Sequence, residues 1–306
     1  MGQTPAARPE AIRHGFAEVN RVRLHYASAG ARAGESKLII FLHGFPEFWY
    51  AWREQLVEFG RDYYAVAPDM RGYNLSSKPA EVKQYEISQL VGDVQALVAH
   101  LGAKSCVLVG HDWGGVVAWA SAIACPDLVE KLVIVNAPHP GIFQRELAQN
   151  PAQQQASQYM LLLRTPEAEA MMSANNFELM QEGILGPGLR QGYFTEADRL
   201  AYLEAWSQPG ALAAGLNYYR ATKIGPPAGV SDEDSHRQFD SASLDVKPPT
   251  LVIWGERDPY LLTGNLDGLD RYVRNLRVER VPEGTHWVVH EKPALVNSLI
   301  HGFIAS

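Results

Sequence analysis

Three side chains of complementary type are spaced to suit covalent hydrolysis: Asp112, Asp258 and His286. Asp112 lies in VLVGHDWGG, Val107 to Gly115, where an apolar run enters Gly110-His111-Asp112-Trp113-Gly114 and a helix-like stretch follows. This is the strand–turn–helix setting of a nucleophile elbow, with Asp where an esterase carries Ser. The glycines allow a tight turn and a close approach of helix to strand. The side chain at 112 is then expected at the C-terminal end of a strand, where open parallel sheets bind ligands. The start of the helix offers amide donors to developing negative charge. An Asp here could instead simply cap the helix; its partners argue against that.

The choice of Asp over Ser decides the chemistry. A carboxylate that attacks an ester or amide forms a mixed anhydride too reactive to help. Attack on an sp3 carbon bearing a strained or good leaving group gives a stable alkyl-enzyme ester. Lipase, peptidase and ordinary esterase readings are therefore disfavoured.

Asp258 sits in LVIWGERDP and His286 in VPEGTHWVVH, each just past a strand-like run. The order Asp112, Asp258, His286 is the nucleophile–acid–histidine order of elbow-type hydrolases. His286 would activate a water that attacks the Asp112 ester, and Asp258 would fix its tautomer and orientation. Glu256 is the competing acid, and His290 reads as structural. A metal site built from the same residues lacks any His-Glu-x-x-His motif or dense ligand cluster, so no metal or organic cofactor is expected.

FLHGFPEFW, Phe41 to Trp49, follows a strand-like run and would lie beside the elbow. The amides of Phe45 and Trp113 are the expected donors to a tetrahedral oxyanion. His43 reads as a brace for this loop. The isomer of the bond before Pro46 is left open.

These residues must be positioned by short apolar strands. Candidates are Val19–Ala27, Lys37–Leu42, Tyr63–Ala67, Ser105–Val109, Lys131–Val135, Thr250–Trp254 and Arg277–Val281. Helix-like stretches at Trp49–Phe59, Ile87–Leu101, Gly114–Ala124, Asn265–Val273 and Lys292–Ile304 alternate with them. Such alternation predicts a mostly parallel sheet covered on both faces. From Pro140 to about Asp234 no strand pattern is seen. Helices are predicted there at Ala152–Leu163, Glu167–Met172, Asn175–Glu182, Glu196–Trp206 and Ala211–Arg220, with loops at Gly183–Gly192 and Gly225–Asp234. The expected organisation is a core of residues 1–139 and 236–306 interrupted by a helical insertion over 140–235.

Composition agrees with one large globular unit. The 306 residues are 46% hydrophobic and 20% charged, which excludes general disorder. Lys plus Arg number 27 against 34 Asp plus Glu, a net charge of −7, so no nucleic-acid footprint is expected. The 2 cysteines, Cys106 and Cys125, exclude a disulfide scaffold. Met1–Arg13 lacks an apolar core of signal-peptide length, and no apolar run is long enough to span a membrane. A soluble, cytoplasmic protein is expected. Its assembly is left open, a homodimer included.

HGFPEFWYAWR from His43, RGYNLSSKP from Arg71, GHDWGG from Gly110, NAPHP from Asn136, and the placements of Asp258 and His286 together closely resemble the epoxide hydrolases of the α/β-hydrolase fold. The resemblance covers roughly residues 15 to 304. It implies an α/β core with an inserted helical cap. It also implies two cap tyrosines that donate hydrogen bonds to the epoxide oxygen. One typically opens a Tyr-x-x-x-x-x-x-Pro segment, matched by Tyr159 to Pro166; the other lies in L-N-x-Y-R, matched at Tyr219 in Leu216–Arg220. Tyr218 is the neighbour most easily confused with it. The chemistry fits, because ring opening produces an alkoxide that leaves poorly without a proton.

The implied reaction converts a small apolar epoxide plus water to a vicinal diol, in a pocket expected to include Phe45, Trp113, Met160 and Tyr218. GHDWGG alone is also shared with dehalogenases. Their halide-binding Asn would fall on Phe45. The paired arginines of the fluoroacetate branch would fall on Trp113 and Val116, and its His-Trp pair on Tyr159 and Met160. A haloalkane or haloacid dehalogenase is the nearest alternative, with halide release as its discriminator. A non-catalytic ligand-binding protein has little reason to keep Asp112, Asp258 and His286 together.

Overall fold

The computed structural model describes residues 12–31, 37–227 and 244–306. The readings of Met1–Arg13 up to residue 11, of the later part of the Ala29–Ser36 turn, of the Gly225–Asp234 loop beyond 227, and of the boundary at 235/236 lie outside the described residues. Eight strands form one sheet: β1 Arg13–Val19, β2 Val22–Ala29, β3 Lys37–Leu42, β4 Tyr63–Pro68, β5 Cys106–His111, β6 Val129–Val135, β7 Thr250–Gly255 and β8 Leu276–Val281. Their spatial order is β1-β2-β4-β3-β5-β6-β7-β8. The β1–β2 and β2–β4 pairs are antiparallel, and every later neighbour is parallel.

The helices in chain order are α1 Arg53–Phe59, α2 Ile87–His100, α3 Trp113–Ala124, α4 Pro140–Gln149, α5 Pro151–Ala156, α6 Tyr159–Arg164, α7 Ala168–Met180, α8 Gly186–Gln191, α9 Glu196–Trp206, α10 Ala211–Ala221, α11 Val288–Glu291 and α12 Pro293–Ile304. Central strands read as unbroken apolar runs because both faces of the sheet are covered. Phe41, Val107, Val109 and Val133 face Leu56 and Phe59 of α1 and Val296 and Ile300 of α12. Their alternates Ile40, Leu42, Leu108 and Leu132 face α2, α3 and the helices between β6 and β7. Helices α4 to α10 all fall between those two strands.

Four local expectations are corrected. Val19–Ala27 is not one strand: Asn20 and Arg21 both take positive φ, 44° and 66°, and turn β1 into β2 as a hairpin. Ala152–Leu163 is two helices, α5 and α6. Buried Gln153 donates to Ser157 Oγ at 2.9 Å and to the Tyr260 carbonyl at 2.8 Å, docking the end of α5 onto a distant loop. Gly183–Gly192 is mostly helical. Pro187 suits a first turn, and Gly192 at φ 82° ends α8. The stretch 265–273 carries only short 3-10 turns, at Thr263–Leu266 and Leu269–Arg271.

The parallel strands aim their C-terminal ends at one place. The loop after β3 carries Phe45, the turn after β5 carries Asp112, β6 is followed by Asn136, and the loops after β7 and β8 carry Asp258 and His286.

Candidate active site

Asp112 stands between β5 and α3 with φ 50° and ψ −123°. A non-glycine residue pays roughly 1–3 kcal/mol for such backbone, and the neighbours enforce it. A Cβ on Gly114 would lie 2.2 Å from the Leu42 carbonyl oxygen, so only glycine lets α3 start this close to β3. A Cβ on Gly44 would lie 2.4 Å from Asp112 Cβ, so the loop after β3 touches the elbow directly.

The two carboxylate oxygens of Asp112 have separate surroundings. Oδ1 accepts the Phe45 amide at 2.7 Å. Oδ2 lies 3.6 Å from His286 Nε2. The Trp113 amide makes no hydrogen bond to this carboxylate among the described residues. The Phe45–Pro46 peptide is cis, and Glu47 N–H closes the turn on the Gly44 carbonyl at 3.0 Å. His43 braces the loop, its Nδ1 donating to the Gly44 carbonyl at 2.9 Å and its Nε2 accepting the Met70 amide at 3.0 Å.

His286 Nδ1 donates to Asp258 Oδ2 at 2.7 Å. That oxygen also accepts Asn136 Nδ2 at 2.8 Å, while Oδ1 accepts the amides of Tyr260 and Leu261 at 2.8 and 3.0 Å. Burial alone would raise the Asp258 pKa, but the His286 charge and these donors hold it below the usual carboxylate range. For His286, burial alone would lower the pKa. The Asp258 charge and the bond and charge of Asp112 outweigh it and push it up to about 10. Glu256 points elsewhere and pairs with Arg280 at 2.8 Å on the surface.

Tyr159 and Tyr219 come together from α6 and α10 with ring centroids 6.1 Å apart. Burial raises both hydroxyl pKa values well above the ordinary one, joined for Tyr159 by the Asp112 charge and for Tyr219 by Tyr159 and then Asp112, so both stay protonated. The Trp113 indole and the Tyr159 ring are the neighbours of Tyr219 on either side. Phe45 and Trp113 wall Tyr219 edge-on, at 5.3 and 5.2 Å. Tyr218 is turned away from Asp112: its buried hydroxyl donates to the Arg71 carbonyl at 2.8 Å. Met160 is buried in the core that unites sheet and inserted helices. A cavity of about 1210 Å³ borders Trp113 on the side of Tyr218, α4 and the end of α10.

Two groups that sequence reasoning missed stand behind the site. Asn136 follows β6, holds Asp258, and exchanges hydrogen bonds with Gly255 through both ends of its amide. Glu47, 2% exposed, accepts from His290 Nε2 at 2.6 Å and Tyr202 at 3.0 Å through Oε1, and meets His111 Nδ1 at 3.1 Å through Oε2. His111 Nε2 donates in turn to the His286 carbonyl at 2.8 Å. Burial would raise the Glu47 pKa, but the His290 charge and the hydrogen bonds of His111 and His290 hold it well below the carboxylate range. The local signal for both lay in the quoted NAPHP and HGFPEFW stretches; their partners are too distant in sequence to be read from it.

The sheet order, the elbow and the Asp–His–Asp arrangement define the class. A family model described as alpha/beta hydrolase fold matches residues 37–293. Mouse "Epoxide hydrolase 4" is 37% identical over 289 residues, covering 92% of this chain and 76% of that protein. The crystal structure of the Bacillus megaterium epoxide hydrolase with an inhibitor superposes at a TM-score of 0.89, with 40% identity over 95% of this chain and 100% of that one. A mutant of the Bacillus megaterium enzyme, solved with its product, a naphthyloxy-propanediol, has a TM-score of 0.88 and 40% identity over the same shares. The chain belongs to the epoxide hydrolases of the α/β-hydrolase fold, and it is a hydrolase. Among the described residues no helix is long and apolar enough to cross a membrane.

Proposed function

We propose that this chain hydrolyses an apolar epoxide to a vicinal diol through an ester on Asp112. Residues 140–235 serve as the cap and the remainder as the core. The epoxide oxygen binds between Tyr159 and Tyr219 and accepts from both hydroxyls. Asp112 Oδ2 attacks a ring carbon, the ring C–O bond breaks, and a tyrosine proton passes to the leaving oxygen. His286 then removes a proton from water, and the hydroxide adds to the ester carbonyl. Charge collects on Oδ1, where the Phe45 amide meets it, joined by that of Trp113. Collapse expels the diol oxygen, which takes the proton from His286; Asp112 is left as the acid, and its proton returns to the tyrosinate, restoring both groups. Asp258 keeps Nδ1 protonated and the ring aligned throughout.

The observation that carries this reading is the split of Asp112: one oxygen on an amide at 2.7 Å, the other facing His286 at 3.6 Å. The dehalogenase alternative needs the Trp113 indole for halide, and here that group meets Tyr219. Apolar substrates are favoured by the cavity beside Trp113, whose walls include Leu90, Val91, Ile123 and Leu147. Two free cysteines and the acidic excess of the composition support a cytoplasmic enzyme that binds no nucleic acid.

The test is one turnover of a naphthyl glycidyl ether in heavy-oxygen water, with Asp112-containing peptides read by mass spectrometry. The expected outcome is one heavy oxygen in Asp112 and none in the first diol. Label in the diol alone would mean that water attacks the ring directly, and would overturn the ester.

A further inference from the structure

Helix α9 presents Asp198, Tyr202 and Trp206 at four-residue steps, which places them on one face. They are 5%, 0% and 6% exposed. Each makes a polar joint with the short segment 46–53 that follows Phe45. Trp206 Nε1 donates to the Pro46 carbonyl at 2.6 Å. Tyr202 donates to Glu47 at 3.0 Å. Asp198 accepts from Tyr50 at 2.9 Å and pairs with Arg53 at 3.1 Å. The Tyr202 ring also meets Phe48 edge-on at 5.3 Å. One stripe of an inserted helix thus holds the whole segment that aims the Phe45 amide at Asp112.

Building on the proposed ester mechanism, we propose that Trp206 is a positioning residue of the second half-reaction, acting through the Pro46 carbonyl on the Phe45 donor. Pro46 has no N–H, so the turn Gly44–Glu47 is fixed by the Glu47 amide on one side and by its carbonyls on the other. Trp206 supplies the donor for the Pro46 carbonyl, in a buried place where an unpaired carbonyl is costly. Without it the turn relaxes, and the Phe45 amide loses its alignment on Oδ1.

The two chemical steps respond with opposite sign. During alkylation Oδ1 loses negative charge, so a weaker donor leaves the step unchanged or makes it faster. During hydrolysis Oδ1 gains charge, so a weaker donor slows it. Full removal of an oxyanion donor costs about 10²–10³ in rate; misalignment of one that stays in place is expected to cost about tenfold. General damage to the fold would slow both steps together.

The experiment is rapid quenching of single turnovers with the naphthyl glycidyl ether, following the intact mass of the alkyl-enzyme. Trp206→Phe and Trp206→Met both remove the donor, so either folded variant suffices. Trp206→His is the rescue, because its Nε2–H sits two bonds from Cγ as the indole N–H does. Support is ester that forms at the wild-type rate or faster, decays about tenfold more slowly, and decays normally again in Trp206→His. Equal loss in both steps, no change in either, or a Trp206→His that decays as slowly as the donor-less variants overturns the role of Trp206. If the wild-type protein itself forms no ester on Asp112, it is the underlying mechanism that fails.

Discussion

At the scale of single residues the site is governed by charge shared around His286. Its imidazole lies between Asp112 and Asp258, and the two carboxylates raise its pKa despite burial. Esterification removes the Asp112 charge. In the proposed mechanism the His286 pKa then falls, and the ring serves as base only after the nucleophile has reacted. Asp112→Asn imitates that neutral state. In this variant the His286 pKa, followed by imidazole NMR, is expected well below the wild-type value of about 10; an unchanged titration would refute the coupling. Asp112, Asp258 and His286 were legible because each sits at a strand end in a recognisable local run. Choosing Asp258 over Glu256 was legible only by position, two residues apart, and the structure separates them by sending Glu256 to Arg280. Glu47 and Asn136 were illegible because their partners, His290 and Asp258, lie far along the chain.

At the scale of elements, parallel strands buried on both faces announce themselves as apolar runs, and β3 to β7 were readable for that reason, whereas the edge strand β8, LRVERV, is only partly buried. The hairpin was not, since Asn20-Arg21 is an unusual pair for two left-handed residues and the polar turn looked like ordinary alternation. The break between α5 and α6 depends on Gln153 reaching the 260–265 loop, a contact that helical periodicity cannot contain. Strand β5 carries the elbow and is buried along its whole length. Leu108 is fully buried at its centre, so Leu108→Ala is expected to cost about 2–5 kcal/mol of stability. Urea unfolding monitored by circular dichroism measures this, and a loss below 1 kcal/mol would mean that the site around β5 collapses without penalty.

At the scale of the molecule, the sheet carries Asp112, His286 and Asp258, the proposed nucleophile, base and acid, and the inserted helices carry Tyr159 and Tyr219. The cavity of about 1210 Å³ beside Trp113 exceeds the space a small epoxide needs. Ala120 of α3 lines it and does not touch the chemistry. Ala120→Trp is therefore expected to raise KM about tenfold for the naphthyl ether while leaving propylene oxide unaffected; equal effects on both would show that the cavity takes no part in binding.

The three joints of α9 also constrain how the protein breathes. A seam closed by Asp198, Tyr202 and Trp206 cannot part without stranding buried polar groups, so any opening must pivot about it. Reactant and diol are then expected to pass on the opposite flank, where α4 and the end of α10 border the space behind Trp113.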